Sequence, residues 1–146
     1  MKKLKEEKRK IKRLLKSLNA NYASHENLKN LLVKNGYIFK KRPCSSGGFF
    51  LNKKNNIVVK IPYLCDEDTK YILRKHKKYI IPTEVIEIEY EYEYPYIFIQ
   101  PLANMRVKNK SEIEDRLYDE LPDSLASDIH YGNFGLYRNK IVMIDW

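Results

Sequence analysis

Residues 128–146 read D-I-H-Y-G-N-F-G-L-Y-R-N-K-I-V-M-I-D-W, and this stretch decides the fold that we expect for the chain. Asp128 is followed five residues later by Asn133, and Asp145 comes twelve residues after Asn133, at the end of an apolar run. Two short strands, Phe134–Tyr137 and Ile141–Ile144, predict a hairpin that brings Asp145 back beside Asn133. Amide and carboxylate oxygens are ligands that magnesium accepts, so the open end of this hairpin is a candidate metal site.

Short strands also fill the middle of the chain. Residues 37–41, 49–51 and 57–61 are rich in β-branched and aromatic side chains, and a glycine turn and a polar turn separate them. This pattern predicts an antiparallel meander. A helix at 66–79, with Tyr71 and Ile72 facing inward, should lead to two more strands, at 83–90 and 96–100. Ser111 and Glu114 have capping-box spacing at the start of a later helix, which Pro122 ends.

The order of these elements predicts an α+β fold rather than a parallel α/β sheet. We expect a basic helical extension at residues 1–36 and a compact two-lobed domain at residues 37–146. The N-lobe, at about 37–100, should contain a five-stranded antiparallel sheet. The C-lobe, at about 103–146, should be much reduced, because the sequence ends one residue after Asp145.

The positive charge of the chain is concentrated at its N-terminus. Residues 1–18 hold nine basic side chains and two acidic ones, which is +7 of the net +9. Leu4, Ile11, Leu14, Leu15 and Leu18 fall on one face of a helix there. This amphipathic helix can dock on the domain by its apolar face, contact nucleic acid or an acidic partner, or lie on a membrane surface.

Composition places the chain among globular proteins of a reducing compartment. It has 146 residues, of which 43% are hydrophobic, and no run of eighteen apolar residues, so we expect no membrane span. The charged N-terminus lacks the apolar region of a secretory signal. Cys44 and Cys65 are far apart and form no C-x-x-C pair, which favours free thiols and a cytoplasmic location.

A lysine and a glycine pair in the meander are candidates for phosphate binding. Lys60 follows two valines on the third strand, and Gly47 and Gly48 precede the second strand. A lysine at this position can reach the α- and β-phosphates of a nucleotide, while glycines let backbone amides approach them. Asp128, in a loop, can accept the proton of an attacking hydroxyl.

Three segments together resemble the protein-kinase-like superfamily. D-I-H-Y-G-N at 128–133 is similar to the D-L-H-P-G-N motif of aminoglycoside and choline phosphotransferases and related small-molecule kinases. I-D-W at 144–146 resembles the metal-binding I-D-W or D-F-G element, and V-V-K-I at 58–61 resembles the V-A-I-K strand. The resemblance runs from about Tyr37 to Trp146, as a strongly truncated member.

The resemblance implies an ATP- and magnesium-dependent phosphotransferase that passes the γ-phosphate to a hydroxyl acceptor, either a protein or a small molecule. It implies that Asp128 is the catalytic base, that Lys60 binds the phosphates, and that Asn133 and Asp145 bind Mg²⁺. The backbone of Gln100, Pro101 and Leu102 would form the hinge that reads the adenine.

The sequence departs from the family pattern in a short glycine turn and at two further places. Ala126 stands where the family usually has His, and the helix after Lys60 has no Glu at the usual distance. Glu67 or Glu26 would have to supply the acid that pairs with Lys60. The alternative function is therefore a kinase-like module, weak or inactive in catalysis, that binds nucleotide, a protein partner or both.

Overall fold

A computed structural model of the chain describes residues 2–18, 25–41, 48–61, 67–88, 96–126 and 133–144. It divides into two compact units: unit 1 consists of Met1–Cys65 and Thr83–Pro101, and unit 2 of Asp66–Pro82 and Leu102–Trp146. The elements, in chain order, are α1 (Lys2–Leu15), α2 (His25–Lys34), β1 (Ile38–Lys41), β2 (Gly48–Asn52), β3 (Ile57–Lys60), α3 (Glu67–Lys75), β4 (Glu84–Glu87), β5 (Tyr96–Pro101), α4 (Lys110–Glu120), α5 (Asp123–Ala126), β6 (Phe134–Tyr137) and β7 (Lys140–Met143).

Unit 1 is built on a five-stranded antiparallel sheet in the order β1-β2-β3-β5-β4. The expected α+β class and the five-stranded antiparallel sheet are thereby confirmed. β3 is the central strand, and all four of its residues are buried. Its neighbours are β2 on one side and β5 on the other, so the strand that ends in Lys60 lies in the middle of the unit.

One face of this sheet is covered by α1 and α2. Val59 and Ile99, which are 0% exposed and face each other across β3 and β5, belong to the same core cluster as Ile11 and Leu28 of the helices. The helices of residues 1–36, predicted as an extension, thus share the core of unit 1. The apolar stripe of the N-terminal helix is the side that docks.

The end of α2 shows why a glycine stands at position 36. Gly36 has a φ of 92°, a left-handed conformation that costs glycine little. The Tyr37 N–H donates to the Leu32 carbonyl at 3.1 Å and the Gly36 N–H to the Val33 carbonyl at 3.2 Å, which is the Schellman pattern. This end turns the chain directly into β1.

A buried carboxylate fixes α1 to the sheet. Glu7, 3% exposed, accepts a hydrogen bond from the Tyr37 hydroxyl and another, at 2.9 Å, from Asn52 Nδ2. Lys10 Nζ lies 3.9 Å from the same carboxylate. Burial, together with the hydrogen bond and the negative charge of Glu7, raises the pKa of the Tyr37 phenol far above its ordinary value of 10.

Unit 2 contains the predicted C-terminal hairpin, β6–β7. Phe134 pairs with Met143 and Tyr137 with Lys140, which leaves a two-residue turn of Arg138 and Asn139. Both turn residues have positive φ, 50° and 62°, as a type I′ hairpin turn requires. The hairpin packs through Phe134 and Met143 into a second core with the helices of unit 2.

Two features of unit 2 differ from the sequence-based expectation. α4 begins at Lys110 behind an N-cap at Asn109, so Ser111 lies inside the helix instead of capping it. Tyr71, expected to face inward from α3, is 47% exposed, whereas Ile72 is buried as predicted. None of the helices in the described ranges combines the length and the apolar character needed to cross a membrane.

Candidate functional site

The candidate residues fall into two groups, one in each unit. Unit 1 holds Lys60, Gly48 and Gln100, and unit 2 holds Leu102 and Asn133. Three further candidates, Gly47, Asp128 and Asp145, lie outside the described residues. Each group has its own local geometry.

Lys60 lies on the sheet face opposite to α1 and α2. It ends β3 and stands opposite Phe98 of β5, while Val58, two residues earlier on the same face, stands between Leu51 and Gln100. Lys60 is 9% exposed, and Val58 and Phe98 are 7% and 6% exposed. Val58 and Phe98 therefore form an apolar floor beside the buried Lys60 side chain on this face of the sheet.

This placement also bears on the acid that pairs with Lys60. α2 lies on the other face of the sheet, where Lys29 Nζ sits 4.3 Å from the centre of the Phe39 ring and Phe39 packs against the shared core. Glu26 of α2 is exposed on that side. Glu26 is therefore not positioned to pair with Lys60. The side chain of Glu67 lies outside the described residues.

The side chain of Gln100 is fixed by a hydrogen bond near the end of β5. It is 2% exposed, and its Nε2 donates to Thr83 Oγ1 at 3.1 Å. The chain passes from unit 1 to unit 2 between Pro101 and Leu102, and Leu102 is 42% exposed. The three predicted hinge residues thus straddle a point where the chain leaves one unit for the other.

Thr83 is a residue that the sequence did not single out. It lies 17 positions before Gln100, and only the pairing of β4 with β5 brings the two side chains together. Its hydroxyl fixes the amide of Gln100 at the end of the strand. No sequence signal marks this role, because threonine is common next to strands.

Gly48 has a structural reason to be glycine. It begins β2 opposite Lys41, and a Cβ atom there would lie 2.5 Å from the Lys40 carbonyl oxygen and 2.7 Å from the Phe39 ring. A side chain would force β1 and β2 apart. The close approach of these two strands accounts for Gly48 without any phosphate, so its role in cofactor binding stays a prediction.

Asn133 lies at the open end of the β6–β7 hairpin. Its carbonyl accepts a hydrogen bond of 2.7 Å from the Ile144 N–H, directly beyond the Phe134–Met143 pair. Asn133 is 9% exposed and Ile144 is 8% exposed. Asp145 is the next residue in the sequence. The hairpin therefore brings Ile144, the residue before the second predicted metal ligand, Asp145, next to Asn133.

Ala126, at the position where the kinase-like pattern would have a histidine, has a packing role. Ala126 ends α5 and is 9% exposed, in the core that also contains Leu125 and Phe134. A buried alanine there supplies neither a hydrogen bond nor a charge.

Comparison of the chain with protein families, with curated proteins and with solved structures finds no match.

Proposed function

We propose that the protein is a minimal kinase-like phosphotransferase, which uses magnesium and ATP to pass the γ-phosphate to a hydroxyl acceptor. The observation that carries this proposal is the 2.7 Å hydrogen bond from the Ile144 N–H to the Asn133 carbonyl. It brings Asn133 and Ile144, eleven residues apart in the sequence, together at the open end of the β6–β7 hairpin. Asn133 and the residue before Asp145 meet there.

Such a hairpin suits a magnesium site. Magnesium in phosphotransferases is held by one or two protein oxygens and by the phosphates of the substrate. Asn133 offers an amide oxygen and Asp145 a carboxylate, and Asn133 is buried at the open end of the hairpin. The donor set therefore fits the ion, and Mg²⁺ bound there would neutralise charge that develops on the transferred phosphoryl group.

Unit 1 offers the features that the nucleotide itself requires. Leu51, Val58 and Phe98 form an apolar strip on one face of the sheet, on which a base can lie. Lys60 stands at the end of that strip. The backbone beyond Gln100 ends the neighbouring strand, which suits hydrogen bonds to an adenine edge. We infer that the base lies on this strip and that Lys60 contacts the α- and β-phosphates.

Asp128 completes the chemistry in this proposal. Its carboxylate accepts the proton of the acceptor hydroxyl as that oxygen attacks the γ-phosphorus. The new oxygen–phosphorus bond forms while the bond between the γ-phosphorus and the bridging oxygen of ADP breaks. Lys60 holds the phosphates of the leaving ADP throughout, so the residues of the chain mainly position charges and one proton acceptor.

A second function, nucleotide binding without catalysis, is suggested by the sequence of α3, which has no glutamate at the distance after Lys60 that the kinase pattern has. The acidic residues of α3 are confined to its first two positions, Glu67 and Asp68, and its last turn carries Arg74 and Lys75. A kinase-like binding module is therefore the alternative function. For both functions we propose a cytoplasmic location, because Cys44 and Cys65 form no C-x-x-C pair in the sequence.

Incubation with γ-labelled ATP and magnesium distinguishes the two functions. We expect label on the protein or release of labelled phosphate, reduced at least 100-fold in Asp128→Ala and in Asp145→Ala. Asp119→Ala, at an exposed position of α4, is the matched control and should keep full activity. Binding of ATP without turnover would support the module. Turnover that survives both substitutions would exclude the proposed site.

A further inference from the structure

The side of α1 that faces away from the sheet is a continuous basic surface. Lys2, Lys5, Arg9, Lys12, Arg13 and, just after the helix, Lys16 are all exposed. At 3.6 residues per turn, these six positions fall within about 100° of the helix circumference. We call this surface the basic face. It lies opposite Leu4 and Ile11, which are buried against the sheet.

Among the residues that the structure describes, the acidic side chains near α1 do not neutralise the basic face. Glu7 points inward to Tyr37 and Asn52, and Glu84 pairs with Lys8 at 3.4 Å. Within the described ranges, none of the six cations of the basic face takes part in an ion pair. Glu6 is the one exposed acid of α1. The surface therefore keeps a net charge of about +5 in a fixed arrangement.

The docked position of α1 argues against two kinds of partner. An amphipathic helix binds a membrane by inserting its apolar side, but that side is already buried in the core of unit 1. Protein interfaces rely on aromatic or aliphatic anchors at their centre, and the basic face contains only charged side chains. Interfaces with nucleic acids, in contrast, are polar and strongly positive.

The dimensions of the basic face match a nucleic-acid backbone. From Lys2 to Leu15 the helix rises about 20 Å, and Lys16 follows directly after it. Phosphates follow one another at about 3.4 Å of axis per strand, so this length spans about six of them, one for each cation. Glu6, Arg9, Lys12, Arg13 and Lys16 also line an open depression of about 580 Å³ along the helix.

From this geometry we propose that the basic face binds the sugar-phosphate backbone of a nucleic acid, without reading its sequence. Binding follows from counterion release as the cations of α1 contact phosphates. The negative charge of Glu6, which lines the same depression, repels phosphates and weakens this binding. The proposal is independent of phosphotransfer, because the surface lies on α1 and requires no nucleotide.

The test is fluorescence anisotropy of the full chain with labelled 20-base-pair RNA and DNA duplexes, in the absence of ATP, between 50 and 200 mM salt. With six contacts, log K should fall with log[salt] at a slope of about −5, a loss of roughly 10³-fold over this range. The triple variant Arg9→Gln/Lys12→Gln/Arg13→Gln should have a slope of about −2.7 and lose only about 40-fold.

Two further variants make the result specific to the basic face. Lys75→Gln/Lys77→Gln/Lys108→Gln removes three exposed charges from unit 2 and should leave the slope unchanged. Glu6→Gln removes the opposing charge and should tighten binding several-fold at 50 mM salt, a gain that misfolding cannot produce.

Several outcomes would overturn the proposal. These are the absence of binding to both duplexes, an equal slope in the wild type and the Arg9 triple variant, and a Glu6→Gln variant that binds no more tightly. Polyglutamate that competes as well as a duplex of equal charge would assign the surface to an acidic protein instead. Binding to anionic vesicles but to neither duplex would assign it to a membrane.

Discussion

Removal of one hydroxyl group, in Tyr37→Phe, should weaken the attachment of α1 more than any surface change. The Tyr37 hydroxyl donates to the buried carboxylate of Glu7, which also accepts from Asn52 Nδ2 at 2.9 Å. Phenylalanine keeps the ring, which is 3% exposed, so no cavity forms. The change therefore isolates the hydrogen bond between Glu7 of α1 and Tyr37, the residue before β1.

The magnitude follows from the charge and burial of the acceptor. Hydrogen bonds to charged groups contribute about 1.5–3 kcal/mol, and the loss falls in that range because Glu7 keeps its other partners. For a chain of 146 residues, each kcal/mol lowers Tm by about 3–4 °C, so we expect a decrease of about 5–12 °C.

Urea unfolding followed by circular dichroism measures this loss, with Tyr118→Phe as the matched control. Tyr118 is 67% exposed, and its substitution should change the free energy of unfolding by less than about 0.5 kcal/mol. In a double-mutant cycle, Tyr37→Phe and Asn52→Ala should couple, because both donors serve one carboxylate. A loss in Tyr37→Phe no larger than in Tyr118→Phe would refute the role of Glu7 as the anchor of α1.

Three other outcomes follow from unit 1. The pKa of Tyr37 is raised in the folded state, so the stability that its neutral phenol contributes is present below pH 10, the ordinary pKa, and is lost above it. In urea titrations, the difference in the free energy of unfolding between wild type and Tyr37→Phe should therefore shrink above pH 10, by up to about 1.4 kcal/mol per pH unit. Gly48→Ala should cost about 1–3 kcal/mol in the same assay, because its Cβ would meet the Lys40 carbonyl, and an unchanged midpoint would contradict that contact. Lys8→Gln should cost less than about 1 kcal/mol and less still in 1 M salt, since its bridge to Glu84 at 3.4 Å is partly exposed; a larger loss would mean that the bridge carries the docking of α1.

Local patterns predicted the elements of this fold well. The meander, the helix between β3 and β4 and the C-terminal hairpin all follow from alternating apolar residues and from turn residues with clear chemistry. Gly36 suits the end of α2 because a helix that closes in this way needs a residue in the left-handed conformation, and its φ is 92°. The β1-β2-β3 part of the antiparallel sheet follows from short strands joined by short turns, which can pair in few other ways.

Contacts between distant residues were not predictable. Glu7 and Tyr37 are 30 residues apart, and an acidic residue in a lysine-rich helix gives no sign that it will be buried. Ser111 has the spacing of a capping residue, but Asn109, in the left-handed conformation at φ 57°, takes the N-cap. Asparagine adopts that conformation more easily than most residues, and a local motif could not weigh the two against each other.

The candidate site was predictable in part. The return of the chain to Asn133 follows from hairpin arithmetic, because two strands of four residues with a two-residue turn place their outer neighbours together. The burial of Lys60 follows from its β-branched neighbours. Neither the face of the sheet on which Glu26 lies nor the bond of Gln100 to Thr83 could be derived, since both depend on how separate elements pack.

Magnesium-dependent ATP binding tests the central claim most directly, by titration calorimetry with and without Mg²⁺. The account predicts that wild type binds ATP with magnesium at least 10-fold more tightly than without it. This difference should disappear in Asn133→Ala and persist in Asn30→Ala, an exposed position of α2. ATP affinity that is independent of magnesium in the wild type, or a magnesium effect retained in Asn133→Ala, would contradict the assignment of the β6–β7 hairpin as the metal site.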